Sequence, residues 1–76
     1  MKAFILIHIR PGEIADVVRH IKKIEQVKDV NMTFGPYDAV AVVMADDLNH
    51  LGKLLATEIQ PIPGVEETLT CLAVDL

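Results

Sequence analysis

At 76 residues the chain has room for one domain, residues 1–76, whose own core hides only about 60% of the unfolded surface. Hydrophobic residues make up 51% of it, more than one small core can cover, so an oligomer is expected. Eleven acidic against seven basic residues (net −4) argue against direct nucleic-acid binding, and a single cysteine excludes an internal disulfide and a CxxC metal site.

The chain opens on Lys2 to Ile9, read as a strand with Phe4 and Leu6 on one face and Ile5, Ile7 and Ile9 on the other. Apolar residues at both parities suit a central strand with helices on one side and something else apolar on the other. His8 and Arg10 interrupt the apolar run, which lacks a small-residue cleavage site. It is also far short of the ~20 residues that span a bilayer. A cytoplasmic chain with no membrane partner is expected.

Pro11-Gly12 ends this strand. Glu13 to Glu25 is predicted helical, with Ile14, Val17, Val18, Ile21 and Ile24 forming one stripe and Glu13 and Lys22-Lys23 complementing the helix dipole. A second strand runs from Val27 to Phe34, where Val30, Met32 and Phe34 alternate with Asn31 and Thr33.

Gly35-Pro36-Tyr37-Asp38 is a turn that opens into Ala39–Ala45, an apolar run read as a strand buried on both faces. A carboxylate at the mouth of such a strand either caps backbone N–H groups or faces a polar ligand. Asp46 or Asp47 caps a second helix, Leu48 to about Ile59, with the stripe Leu48, Leu51, Leu54, Leu55 and Ile59. Pro61 and Pro63-Gly64 stop it. The last strand, Val65 to Val74, places Cys71 as a small buried apolar residue.

The order βαββαβ, with helix-length crossovers, gives an α+β, ferredoxin-like sandwich. It has a four-stranded antiparallel sheet, in the order 4-1-3-2 or a close variant of it, and both helices on one face.

Four features together resemble the effector-binding module, or RAM domain, of the leucine-responsive (Lrp/AsnC) transcription regulators. They are Gly35-x-Tyr37-Asp38, the apolar strand after it, the Asp46-Asp47-Leu48 helix start, and Pro63-Gly64-Val65-Glu66-x-Thr68-x-Thr70. The resemblance spans nearly the whole chain. Family regulators carry an N-terminal helix-turn-helix domain, whereas the first strand here begins at Lys2. The expectation is therefore a stand-alone module that does not bind DNA by itself.

What the resemblance implies is a homodimer formed through the open sheet face, dimers associated into rings, and a free amino acid or similar metabolite held where dimers meet. A full-length Lrp/AsnC regulator is a further candidate partner. The implied ligand-binding residues are Gly35, Pro36, Tyr37, Asp38, Thr68 and Thr70. Gly35 and Pro36 would shape a backbone surface, Asp38 would pair with the ligand ammonium, and Thr68 and Thr70 would donate to its carboxylate. Tyr37 would line the pocket or pack at a subunit contact. From the residues alone the bland alternative stays open, with Asp38 a turn cap and the threonines ordinary strand residues.

His8, His20 and His50 match no ligand spacing and read as structural or surface residues, with His8 the one placed for burial. No catalytic set and no cofactor is implied, so the chain reads as a non-enzyme. The competing class is a small dimeric α+β-barrel enzyme, which would need a polar cluster between helices and sheet. An RNA-binding domain of this fold would need exposed aromatics on a basic surface.

Overall fold

The computed structural model describes residues 1–76 as β1 (Lys2–Ile9), α1 (Ile14–Lys22), β2 (Val27–Met32), β3 (Ala39–Met44), α2 (Leu48–Leu54) and β4 (Val65–Leu72). The strands form one sheet in the order β2-β3-β1-β4, with every neighbouring pair antiparallel. This is the expected ferredoxin-like arrangement, with β1 and β3 central.

Parity decides what each strand buries. Ala3, Ile5, Ile7 and Ile9 of β1, Ala39, Ala41 and Val43 of β3, and Val30 of β2 are buried. Val17, Val18 and Ile21 of α1 and Leu51 and Leu54 of α2 close over them in one cluster. Each fully buried Ile or Leu contributes roughly 1.5–3 kcal/mol.

The other parity is only half-covered: Phe4, Leu6, His8, Val40 and Val42 are intermediate, and Met44, Leu69 and Cys71 are exposed. The run Ala39–Ala45 is thus buried on one face within the chain, not on both as its composition predicts. Cys71 corrects the expectation of burial for the same reason. It lies opposite Phe4 on an edge strand, on the sheet face that neither helix covers.

Several element ends fall short of the predicted ones. The first helix covers Ile14–Lys22 of the predicted Glu13–Glu25, and β2 stops at Met32. Met32 is exposed at the end of an edge strand where α1 no longer covers it, and Phe34 lies wholly in solvent. β4 ends at Leu72. In α2 the Asp47 carboxylate accepts from the His50 N–H at 2.9 Å, a side-chain N-cap. Leu48, at the first helical position, is exposed, so the buried stripe starts a turn later at Leu51. The helix then widens into a π turn over Leu55–Ile59, closed by Gln60 N–H donating to the Leu55 carbonyl at 2.8 Å.

The two crossovers meet where Arg10 N–H donates to the Gly64 carbonyl at 2.7 Å. Gly64 has φ +102°, and a Cβ there would sit 2.9 Å from Glu13 Oε2 and 3.0 Å from Val17 Cγ2. Only glycine fits both constraints.

Candidate functional site

The Thr33–Asp38 loop is braced from within. Thr33 N–H donates to the Asp38 carbonyl at 3.0 Å, and the Thr33 hydroxyl donates to the Tyr37 carbonyl at 2.7 Å. Asp38 N–H donates to the Ile7 carbonyl at 2.9 Å, which anchors the loop to β1. The Asp38 side chain then takes over from the backbone ladder: its Oδ2 accepts the Ile9 N–H at 2.7 Å. That donor lies beside the β1–β4 irregularity at His8/Ile9. Asp38 therefore serves a backbone N–H, but one from β1 and not from its own turn. Its other oxygen is outside this bond, and the side chain remains 33% exposed.

His8 faces the same corner. Its ring lies 4.4 Å from the Tyr37 ring, tilted by 30°. Asp38 Oδ2 stands 3.8 Å from its Nδ1, and Glu67 Oε1 stands 3.9 Å from its Nε2. The loop thus gathers Tyr37, Asp38, His8 and Glu67 at one end of the uncovered sheet face. His8 is half-exposed here, not buried. Glu67 has no sequence signal of its own; its place follows from pairing with His8 in the β1–β4 register. The two carboxylates approach opposite ring nitrogens, and no three His, Cys, Asp or Glu side chains converge as a metal would require.

Thr68 and Thr70 pair with Ile7 and Ile5, which puts them on the helix-covered side of β4. The Thr68 hydroxyl accepts from Gln60 Nε2 at 3.3 Å. Within one chain, then, the threonines and Asp38 face opposite sides of the sheet. Gly35 and Pro36 form the exposed loop apex, and a Cβ at Gly35 would meet nothing within 4 Å. At the opposite end of the sheet a groove of about 610 Å³ is lined by Met1, Met44 and the charged Lys28, Asp46, Lys53 and Glu58, and includes none of the predicted ligand residues.

His50 and Asp47 are both exposed and shift each other. The His50 backbone and ring N–H groups hold the Asp47 carboxyl below its ordinary value, and the Asp47 carboxylate raises His50 above its own.

Residues 2–75 match the family model described as the Lrp/AsnC ligand binding domain. The chain belongs to that family. Among curated proteins, it is 38% identical over 72 residues to the HTH-type transcriptional regulator FL11 of Pyrococcus abyssi, covering 95% of this chain and 47% of that one. It therefore spans about half the length of this relative. Among solved structures, TTHA0845 from Thermus thermophilus superposes with a TM-score of 0.93 at 35% identity, covering 99% of this chain and 94% of that one. The transcriptional regulator NMB0573 from Neisseria meningitidis, solved as an L-Met complex, superposes at 0.89 over 97% of this chain and 49% of its own. At 17% identity it shares the Lrp/AsnC ligand-binding fold alone.

Proposed function

We propose that residues 1–76 act as one ligand-sensing domain that binds a free amino acid or similar metabolite between copies of itself, without catalysis. The observation that carries this reading is the corner built by Tyr37, Asp38, His8 and Glu67 at the end of an apolar sheet face the chain leaves uncovered. A carboxylate beside an aromatic ring suits an ammonium group. The L-Met complex of a protein with this fold supports the ligand class.

Asp38 takes the ligand ammonium. Gly35 and Pro36 shape the backbone around it, and Tyr37 walls it. Thr68 and Thr70 meet the carboxylate from the helix side of a neighbouring copy, because in their own chain they face away from Asp38.

Dimers form through the open face, where Phe4, Leu6, Val40, Val42 and Leu69 make an apolar centre. Lys2, Asp29 and Glu67 lie around that centre, the apolar-core and polar-rim anatomy of a protein interface. Dimers then associate further, and a full-length Lrp/AsnC regulator is a candidate co-assembly partner in the cytoplasm. No helix is long and apolar enough to cross a membrane.

The competing α+β-barrel enzyme would work between helices and sheet. That space is filled by sixteen buried apolar residues, which supports the non-enzymatic reading.

The test is a thermal-shift screen against the twenty amino acids with light scattering in parallel. A ligand raises Tm as RT ln(1 + [L]/Kd) grows, so millimolar binders register. A specific shift for one amino acid or a related set is expected. No shift for any of them at millimolar concentration would overturn the amino-acid reading.

A further inference from the structure

Phe34 is one of two phenylalanines in the chain, and it stands fully in solvent, at 109% of its reference exposure. This is not the exposure of a loose loop. Thr33 is tied to Asp38 and Tyr37 by the two hydrogen bonds described above, and Pro36 fixes its own φ, so the apex is held while the ring projects. A braced, fully exposed aromatic at a loop apex has the character of an interface anchor.

The same chain offers a seat for it. Pro61, Ile62 and Pro63, together with Ile24 just past α1, line the apolar part of a groove of about 300 Å³ that His20, Thr57 and Glu58 complete. Its lining residues Glu58 and Pro61 flank Gln60, whose amide holds Thr68.

An approach that brings a neighbour's Thr68 to Asp38, as the proposed ligand site requires, therefore also brings the neighbour's groove toward Phe34. Charge favours the same pairing. The loop's end of the sheet carries Asp38, Glu66 and Glu67 against Arg10, which is itself paired to Glu13. The groove lies beside the run Arg19, His20, Lys22 and Lys23, where Arg19 is paired to Asp16 while Lys22 and Lys23 make no ion pair, so these two lysines outweigh the groove's one carboxylate, Glu58.

We infer that Phe34 is the anchor by which one dimer docks on another: its ring enters the Ile24–Pro61–Ile62–Pro63 groove of a second copy of this chain. This rests on the association of dimers proposed above, and it names the contact that makes that association.

Because the chain has no tryptophan, Phe34→Trp installs a single reporter at the apex. Sedimentation velocity and tryptophan emission are followed together across a concentration series. The emission shifts to the blue as species larger than the dimer appear. Phe34→Ser keeps the dimer and its melting curve, while the dissociation constant for the larger species rises roughly tenfold or more. The surface double variant Lys22→Glu/Lys23→Glu, made with Phe34 in place, weakens the same step. It remains a dimer at concentrations where the unaltered chain assembles.

Three results would overturn the inference while leaving the association of dimers standing. One is an emission that stays that of a fully solvated indole while larger species form. Another is a blue shift already complete in the dimer, which would assign Phe34 to the dimer contact. The third is larger species that Phe34→Ser and the double lysine variant leave unchanged. A chain that never exceeds the dimer would defeat this inference and the proposed association of dimers together, while the thermal-shift screen decides ligand binding separately.

Discussion

Asp38 holds two roles that its variants can separate. Its Oδ2 accepts the Ile9 N–H at 2.7 Å, and its charge is assigned to a ligand ammonium. In Asp38→Asn the amide oxygen still reaches that N–H, so the structural loss is the difference between a charged and a neutral acceptor. Hydrogen bonds to charged groups contribute about 1.5–3 kcal/mol and neutral ones about 0.5–1.5 kcal/mol, a difference of about 1 kcal/mol. With the side chain 33% exposed, solvent screening keeps the loss at or below that figure. For a domain of this length, it lowers Tm by roughly 4–8 °C at most. Asp38→Ala leaves the Ile9 N–H without an acceptor and costs about 1–3 kcal/mol.

The ligand side behaves differently. An ammonium left desolvated and unpaired loses about 2–5 kcal/mol, or roughly thirtyfold to four-thousand-fold in affinity, for Asn and Ala alike. Thermal unfolding at fixed protein concentration, with calorimetry on the amino acid found by screening, measures both. An Asn variant that binds as tightly as the unaltered chain would refute the ammonium role. An Asn variant as unstable as Ala would refute the division of roles, because charge alone would then hold the end of β1 to β3.

Gly35→Ala meets no neighbouring atom and no positive φ, so it should leave Tm unchanged or slightly raised while weakening ligand binding by steric block. Full binding in that variant would show that nothing approaches Gly35 closely. Gly64→Ala, by contrast, forces a Cβ against Glu13 and Val17 at φ +102° and should lose about 2–4 kcal/mol in urea denaturation. An unchanged urea midpoint would contradict the packing described. Leu6→Glu puts a charge among Val40 and Leu69 on the open face and should give monomers or unfolded chain by sedimentation; a stable dimer would move the interface elsewhere. The Asp47–His50 pair makes a pH prediction with two signs. Asp47 is depressed, so its contribution is present above the ordinary carboxylate value near 3.8 and is lost as pH falls through its folded value. His50 is raised, so its contribution is complete below about 6.5 and is lost as pH rises through its folded value. The pair acts between those limits. An NMR titration should show the His50 midpoint falling toward 6.5 in Asp47→Asn, and no movement would remove the coupling.

Much of the fold is legible in the chain because parity and period are local properties. Ile5, Ile7 and Ile9 announce the helix-facing side of β1, Val17, Val18 and Ile21 announce the inner stripe of α1, and Asp47 stands where an N-cap belongs. What is not legible depends on which strands become edges. Alternation marks Met32 and Cys71 as core residues, and only the order β2-β3-β1-β4 reveals that one lies past the cover of α1 and the other on the uncovered face. The candidate site divides along the same line. Gly35, Pro36, Tyr37 and Asp38 are contiguous and read directly. Glu67 reaches His8 only through a cross-strand register that shifts at Ile9, and the side of the sheet taken by Thr68 and Thr70 follows from that register as well.

The central place of β1 also has a consequence for how the chain is made. Its partner β3 lies beyond a helix and a further strand in sequence, and its other partner, β4, is the last strand described. Such non-local pairing carries a large loop-closure cost and slows folding relative to helical proteins of this size. Until Val65–Leu72 has been synthesised, Ala3–Ile9 has one side of its backbone unpaired along an almost wholly aliphatic strand. A nascent or truncated chain would therefore expose an edge able to template pairing with its neighbours. A chain cut before Val65 should aggregate, not persist as a smaller folded unit.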